Sequence, residues 1–163
     1  MAFGSLMSTG LEFQRGGAAA LDEIRSLWSK VRELLCSRCT YFGTEMEELS
    51  WPQRKAEILG KGEGTRIMVD VVLDTSSGAK VAYCVSTVDG DSVGEVDSIF
   101  VEESYRGQGI GGQLILRAVQ WMEGEGASKM QLIVTYGNEE VLAFYEEHGF
   151  YPRRIVLERK NGR

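Results

Sequence analysis

The stretch RGQGIGG, residues 106–112, sets Gly107, Gly109, Gly111 and Gly112 at the mouth of the apolar run QLILRAVQWM. Inside a helix each glycine costs about 1 kcal/mol relative to alanine. Such a density at a helix start calls for a task that the backbone itself performs. The first N–H groups of a helix have no partner within it and carry partial positive charge. Glycines let the chain curl around an anion with no Cβ in the way. Arg106, Gly107, Gln108, Gly109, Ile110, Gly111 and Gly112 therefore read as a phosphate-binding loop.

The surrounding residues decide which phosphate. A nucleotide-binding loop of the Walker type needs Lys and then Ser or Thr after its last glycine, and here Gly112 is followed by Gln113 and Leu114. Residues 107–112 do satisfy G-x-G-x-x-G, the bare dinucleotide pattern. The wider context disagrees with it. Glu102 to Arg106 intervene where a tight turn is wanted, and the next apolar run ends in Val134-Thr135-Tyr136 without an acid for a ribose. Only 51 residues follow Gly112, too few for the rest of such a sheet. A loop that merely turns a corner before a core helix is the remaining alternative.

Other reactive side chains carry less. Cys36-Ser-Arg-Cys39 is a C-x-x-C, but a zinc site wants further ligands and the sole histidine, His148, lies far along the chain. The pair ends a helical pattern, whereas a redox pair would follow a strand, so two ordinary thiols are the favoured reading. His148, just before Gly149, suits a helix end. Glu45, Glu47 and Glu48 either draw in a cationic amine or form a solvated charge run.

The elements that would position these residues follow from periodicity. LEFQRG (11–16) reads as a first strand, and residues 18–36 place Leu21, Ile24, Leu27, Trp28, Val31, Leu34 and Leu35 on one helical stripe. SRCTYFGTEMEELSW is polar and irregular. Ser50 as N-cap, Pro52 in the opening turn and Gly60 as stop bracket a shorter helix. TRIMVDVVLD and AKVAYCVSTV are strand runs joined by a turn at Thr75–Gly78, and EVDSIFV is a third. A helix over 110–123 comes next. KMQLIVTY (129–136) reads as a strand buried on both faces. NEEVLAFYEEHGF reads as a short helix stopped by Gly149, and RRIVLERK as a last strand. The order is β, α, α, β, β, β, α, β, α, β, one mixed α/β domain over residues 11–163 behind a loose leader at 1–10.

SIFVEESYRGQGIGGQLI resembles motif A of the GNAT superfamily, the acyl-CoA-dependent N-acetyltransferases, whose signature Arg/Gln-x-x-Gly-x-Gly/Ala is met by Arg106 to Gly111. Asn138, Tyr145, Gly149 and Phe150 also stand at offsets similar to that family's. The likeness spans about half the chain, from 65 to 150, and leaves the N-terminal third matched only by element order.

The resemblance implies an α/β (α+β) fold: a GNAT-like twisted mixed sheet flanked by helices on both faces, with acetyl-CoA bound where the strands at 95–101 and 129–136 splay. It implies that the loop amides hold the coenzyme's diphosphate, that Phe100 and Val101 offer backbone groups to the pantetheine arm, and that Asn138 bonds the same arm. Asn138 is equally placed to cap a helix, with Glu139 and Glu140 in its first turn. By the same resemblance Tyr145 is the proton donor to the departing thiolate and Glu95 the base, acting through water. Core packing is the alternative for Tyr145 and a solvated strand end for Glu95, with Asp97 as the second candidate base. Members that acetylate ribosomal-protein N-termini carry a glutamate where this chain has Ile133, a departure from that branch. The implied partners are acetyl-CoA and a primary amine, with a homodimer left open and no metal. A non-catalytic acyl-CoA sensor is the rival reading.

Bulk properties limit the rest. A chain of 163 residues can bury a full core. A net charge of −6 argues against nucleic acid or an anionic membrane as main partner, since both want a cationic footprint. No apolar run is long enough for a membrane span, the opening MAFGSLMSTG is a poor secretory signal, and three cysteines without disulfide-rich spacing suit a cytoplasmic setting.

Overall fold

Alternating β-branched residues in the middle of the chain build a sheet, and two apolar helical stripes close over its faces. The computed structural model describes residues 10–160. The strands are β1 (Leu11–Gly16), β2 (Arg66–Asp74), β3 (Lys80–Val88), β4 (Val93–Val101) and β5 (Lys129–Leu132), side by side in that order. β1 to β4 are antiparallel neighbours, and β5 joins β4 in parallel. The helices are α1 (Arg25–Arg38), α2 (Gly43–Glu48), α3 (Trp51–Leu59), α4 (Ile110–Gly124) and α5 (Leu142–Glu147). The expected leader lies outside the described residues except for Gly10, whose carbonyl accepts the Thr75 N–H at 2.8 Å.

Each face of the sheet has its own core. On one, Met68, Val72, Ala82, Cys84 and Val96 meet Ile110, Leu114, Ile115, Ala118 and Met122 of α4, with Phe144 and Tyr145 of α5 at the margin. On the other, Val69, Val71, Tyr83, Val85 and Phe100 meet Leu21, Ile24, Leu27 and Trp28, with Trp51 and Ile58 of α3. Each fully buried aliphatic or aromatic side chain contributes about 1.5–3 kcal/mol. This is the expected mixed sheet with helices on both faces. α3 also starts as its sequence implies: Ser50 and Gln53 form a capping box, Pro52 sits in the first turn and Gly60 ends the helix.

One charge is buried within the first core. Asp70, 0% exposed, takes both oxygens to Arg15 of β1 at 2.9 Å and to Arg117 of α4 at 3.0 Å. Burial pushes its carboxyl up, but the two guanidiniums outweigh this and hold it below the ordinary range. The cluster pins α4, and so the loop at its start, to the sheet.

Several expected elements differ. The 18–36 helix begins as a 3-10 turn, Ala18–Ile24, before α1. The polar stretch after Cys36 contains α2. β4 starts at Val93 rather than Glu95. β5 ends at Leu132 instead of running to Tyr136, and it is not buried on both faces, because Lys129 is exposed and the following Ile133 is 80% exposed. Its pairing with β4 stops at Val96 and Leu132, where the two chains part. Residues 153–160 form no strand. Ile155, Val156 and Leu157 are 80–92% exposed, and Lys160 is held elsewhere, its Nζ donating to the Tyr41 carbonyl at 2.6 Å. A short apolar run becomes a strand only where an edge and a buried face receive it, and here neither does.

Candidate active site

The parting of β4 and β5 opens a cleft of about 1020 Å³, lined by residues 95–101 of β4, Leu132 at the end of β5 and 133–135 after it, the glycine loop, α5 and three elements from the N-terminal third. Apart from Gln108, every predicted site residue lines it: Glu95, Phe100, Val101, Arg106, Gly107, Gly109, Ile110, Gly111, Gly112, Asn138 and Tyr145.

The loop's glycines divide into two pairs. Gly107 and Gly109 take φ of +74° and +79°, and a Cβ on either would meet nothing within 4 Å. Their side of the loop is open space, and the left-handed backbone is what requires glycine there. Gly109 is also the N-cap of α4, with no side chain bonded to the cap, which leaves the first-turn amides for an outside acceptor. Gly111 and Gly112 serve packing. A Cβ on Gly111 would sit 3.3 Å from the Phe144 ring, and one on Gly112 would sit 3.0 Å from His148 Nε2. Anion binding therefore does not account for all four glycines, since half of them let α5 approach α4. Arg106 steadies the loop from below. Its Nε donates to the Val101 carbonyl at 2.9 Å and its guanidinium lies 5.6 Å from the Phe100 ring centre.

α5, only six residues long, carries Tyr145 into the cleft and packs Phe144 edge-on against it with centroids 5.2 Å apart. Burial pushes the Tyr145 phenol up to about 12, so it holds its proton at neutral pH. Asn138 stands at the N-cap position of a 3-10 turn but makes no side-chain cap bond. Its Oδ1 instead accepts from Arg38 of α1, and Arg38 also pairs with Glu140. The capping alternative for Asn138 is therefore replaced by a bridge across the cleft. Arg38 lies 100 residues from Asn138, and nothing in the local sequence signals the contact.

β4 supplies the carboxylates. In its ladder with β3, Val85 pairs with Ser98 and Ser86 with Val96, so Asp97 is an extra residue, a β-bulge. The slip shows in the packing: Val96 shares one core with Ile99 and Val101, not with Phe100. Consequently Glu95, Asp97 and Ser98 all face α1 and α3. Thr87 Oγ1 donates to Asp97 Oδ2 at 2.7 Å and Tyr83 Oη lies 2.7 Å from Ser98 Oγ. Lys61, which the sequence reading missed, reaches from the α3–β2 loop to both acids, its Nζ 3.2 Å from Glu95 and 2.5 Å from Asp97. Burial raises the Asp97 carboxyl against the opposing pull of Lys61. Asp97 is 1% exposed at its side chain and Glu95 22%, so Glu95 is the more accessible of the two. Glu95 also accepts from Gln131 Nε2 at 3.4 Å and borders a second cavity of about 240 Å³ with Lys61 and Thr87.

The far wall is made of Trp28, Arg32 and Leu35 of α1, Met46 of α2, Leu49, and Arg54 of α3, of which Trp28 and Leu35 were expected only as part of an apolar helical stripe. Glu45, Glu47 and Glu48 are exposed and line no part of the cleft, which leaves the solvated charge run. Cys36 and Cys39 are free thiols at the end of α1.

Comparison with known proteins points to one family and one fold. The profile of the acetyltransferase (GNAT) family matches residues 28–150. An uncharacterized N-acetyltransferase of Methanocaldococcus jannaschii is 32% identical over 72 residues, which cover 44% of this chain and 32% of that protein. A mycothiol acetyltransferase of Beutenbergia cavernae is 27% identical over 131 residues, 69% of this chain and 44% of that one. The chain thus spans less than half the length of the curated relatives it matches. A putative acetyl transferase from Pyrococcus furiosus superposes with a TM-score of 0.65 at 25% identity, over 91% of this chain and 99% of that one. An aminoglycoside N-acetyltransferase solved with CoA superposes at 0.62 with 18% identity, over 93% and 95%, a likeness of fold alone.

Proposed function

The chain belongs to the acetyltransferase (GNAT) family, and from that premise we propose that it transfers an acetyl group from acetyl-CoA directly to a primary amine of a small molecule or peptide. The observation that carries the proposal is one cleft that holds an amide-rich glycine loop, a protonated phenol and a carboxylate pair together. Relatives named as an N-acetyltransferase and a mycothiol acetyltransferase support it.

The residues fit the coenzyme. The open faces of Gly107 and Gly109 leave room for a diphosphate against unpaired amides, and bonds of this charge-assisted kind are worth about 1.5–3 kcal/mol each. Phe100 and Val101 lie at the end of β4 that β5 leaves uncovered, where the pantetheine arm would run beside the Val101 carbonyl held by Arg106, and Asn138 retains its amide donor after its oxygen is taken by Arg38. Acetyl-CoA supplies an activated thioester whose leaving thiol has a pKa near 8.5. Tyr145 donates a hydrogen bond to the sulfur as charge develops there, and its raised pKa keeps it protonated for that role.

A lysine-like amine has a pKa near 10.4, so freeing its lone pair at neutral pH costs about 4–5 kcal/mol. Glu95 accepts that proton through water. Lys61 and Gln131 fix its carboxylate, and the second cavity behind it offers the proton a route out. Asp97, buried and tied to Thr87, anchors Lys61 and is not the base.

The test is the appearance of free CoA thiol when acetyl-CoA and a panel of primary amines are mixed with the protein. Amine-dependent release is expected. Tight acetyl-CoA binding without release for any amine would make the protein an acyl-CoA-binding module instead.

A further inference from the structure

Four arginines line the cleft, Arg32, Arg38, Arg54 and Arg106, and their charges are not equally answered. Arg38 pairs with Glu140 and Arg54 with Glu57 at 3.0 Å. Arg106 has no carboxylate partner among the described residues, as suits a group beside a diphosphate loop. Arg32 has none either, yet it stands on the opposite wall. Its guanidinium lies 5.5 Å from the Trp28 ring centre, and Nη1 donates to the Leu49 carbonyl at 2.8 Å. Those two contacts hold the plane in place and leave other N–H donors of the fork unused. None of the acids across the cleft pairs with it: Glu95 and Asp97 are bonded to Lys61, and Glu140 to Arg38.

The acceptor side therefore presents one fixed, uncompensated cation among apolar neighbours, Trp28, Leu35, Met46 and Leu49. A planar guanidinium held on an aromatic face matches a carboxylate or phosphate by paired hydrogen bonds. A polycationic amine would meet repulsion at the same place. We propose that the acceptor is an amine that also carries an anionic group, carboxylate or phosphate, and that Arg32 binds that group while the amine faces Glu95. The inference rests on the acetyl-transfer reading, since it names the acceptor of that reaction. Arg32 is then a specificity residue that touches the acceptor and takes no part in proton movement.

The experiment compares acceptors matched in length: an unsubstituted alkylamine, the corresponding amino carboxylate, the corresponding amino phosphate, and a polyamine. Thiol release gives kcat and KM, and calorimetric titration of each compound into the acetyl-CoA-free protein gives affinity independently of turnover. The wild type is expected to prefer one or both anionic acceptors, and the carboxylate and phosphate arms say which. Arg32→Gln should raise KM for the anionic acceptor by about tenfold or more while kcat and the alkylamine kinetics stay put. Arg32→Lys should recover part of the loss, since it restores charge but not the fork. Equal effects of Arg32→Gln on charged and uncharged acceptors, or a wild-type preference for the polyamine, would overturn the assignment. If no amine releases CoA, the acetyl-transfer reading fails, and the titrations still decide whether Arg32 selects the carboxylate or phosphate over the plain amine. The unfolding temperature of each variant separates lost recognition from lost fold.

Discussion

The two walls of the cleft are built by different means. The coenzyme wall is mostly backbone: seven consecutive residues, 106–112, whose conformation places unpaired amides and whose glycines keep one side bare. The acceptor wall is mostly side chain, gathered from α1, α2, α3 and one face of β4. A site made of amides must be encoded locally, because only local residue types fix φ and ψ. A site made of side chains can be assembled from anywhere the fold brings together. The first wall tolerates change poorly at a few positions. The second can be rebuilt one residue at a time.

Substitutions can strain that contrast, and the largest effect is expected where chemistry and coenzyme meet. Tyr145→Phe should lower kcat by about a hundredfold, the lower range for a general acid, with acetyl-CoA affinity within twofold of wild type. An unchanged rate in single-turnover assays would remove the role given to its hydroxyl. Gly109→Val places a β-branched residue at φ +79°, a strain of about 1–3 kcal/mol, and should weaken acetyl-CoA binding about tenfold by calorimetry. On the other wall, Met46→Ala is expected to leave that affinity alone and to alter only the acceptor's KM. Were both variants to lose coenzyme affinity alike, the division between the walls would be wrong.

Acid should reach the coenzyme wall after the acceptor wall, because burial raises the Asp97 carboxyl while Asp70 is held low. Asp70 is held below the ordinary carboxylate range in the fold by Arg15 and Arg117. Its contribution to stability is complete above the unfolded value of about 3.9 and is lost as pH falls through the lower folded value. Loss of the cluster frees α4 and with it the loop. Acid unfolding followed by circular dichroism should show this dependence in the wild type and lose it in Asp70→Asn. The smallest effect is predicted for Glu45→Gln, which sits in solvent outside the cleft and should change no kinetic constant beyond twofold.

The sequence was legible in proportion to how local its signals were. The glycine turn before α4, the N-cap at Ser50 and the hairpin turn at Thr75–Gly78 depend on neighbours in the chain, and all stand where expected. The bridge from Arg38 to Asn138 and the reach of Lys61 to Glu95 join residues that no local pattern connects. RRIVLERK illustrates the opposite failure. Its β-branched apolar centre is that of a strand, but an isolated strand has nothing to bond, and the run lies in solvent. The parting of β4 from β5 cut short a strand whose composition promised eight residues, 129–136.

The bulge at Asp97 gives β4 two reading frames. Even-numbered positions meet the α4 core before it and odd-numbered ones after it. Removing one residue there would turn Ser98 away from Tyr83, swing Glu95 off the cleft floor, or leave the strand out of step with the loop that follows. Homologous chains that differ in length on either side of this point would be expected to keep the offset and to vary the acceptor by point replacement, because a single deletion scrambles the floor of the cleft and a single replacement does not.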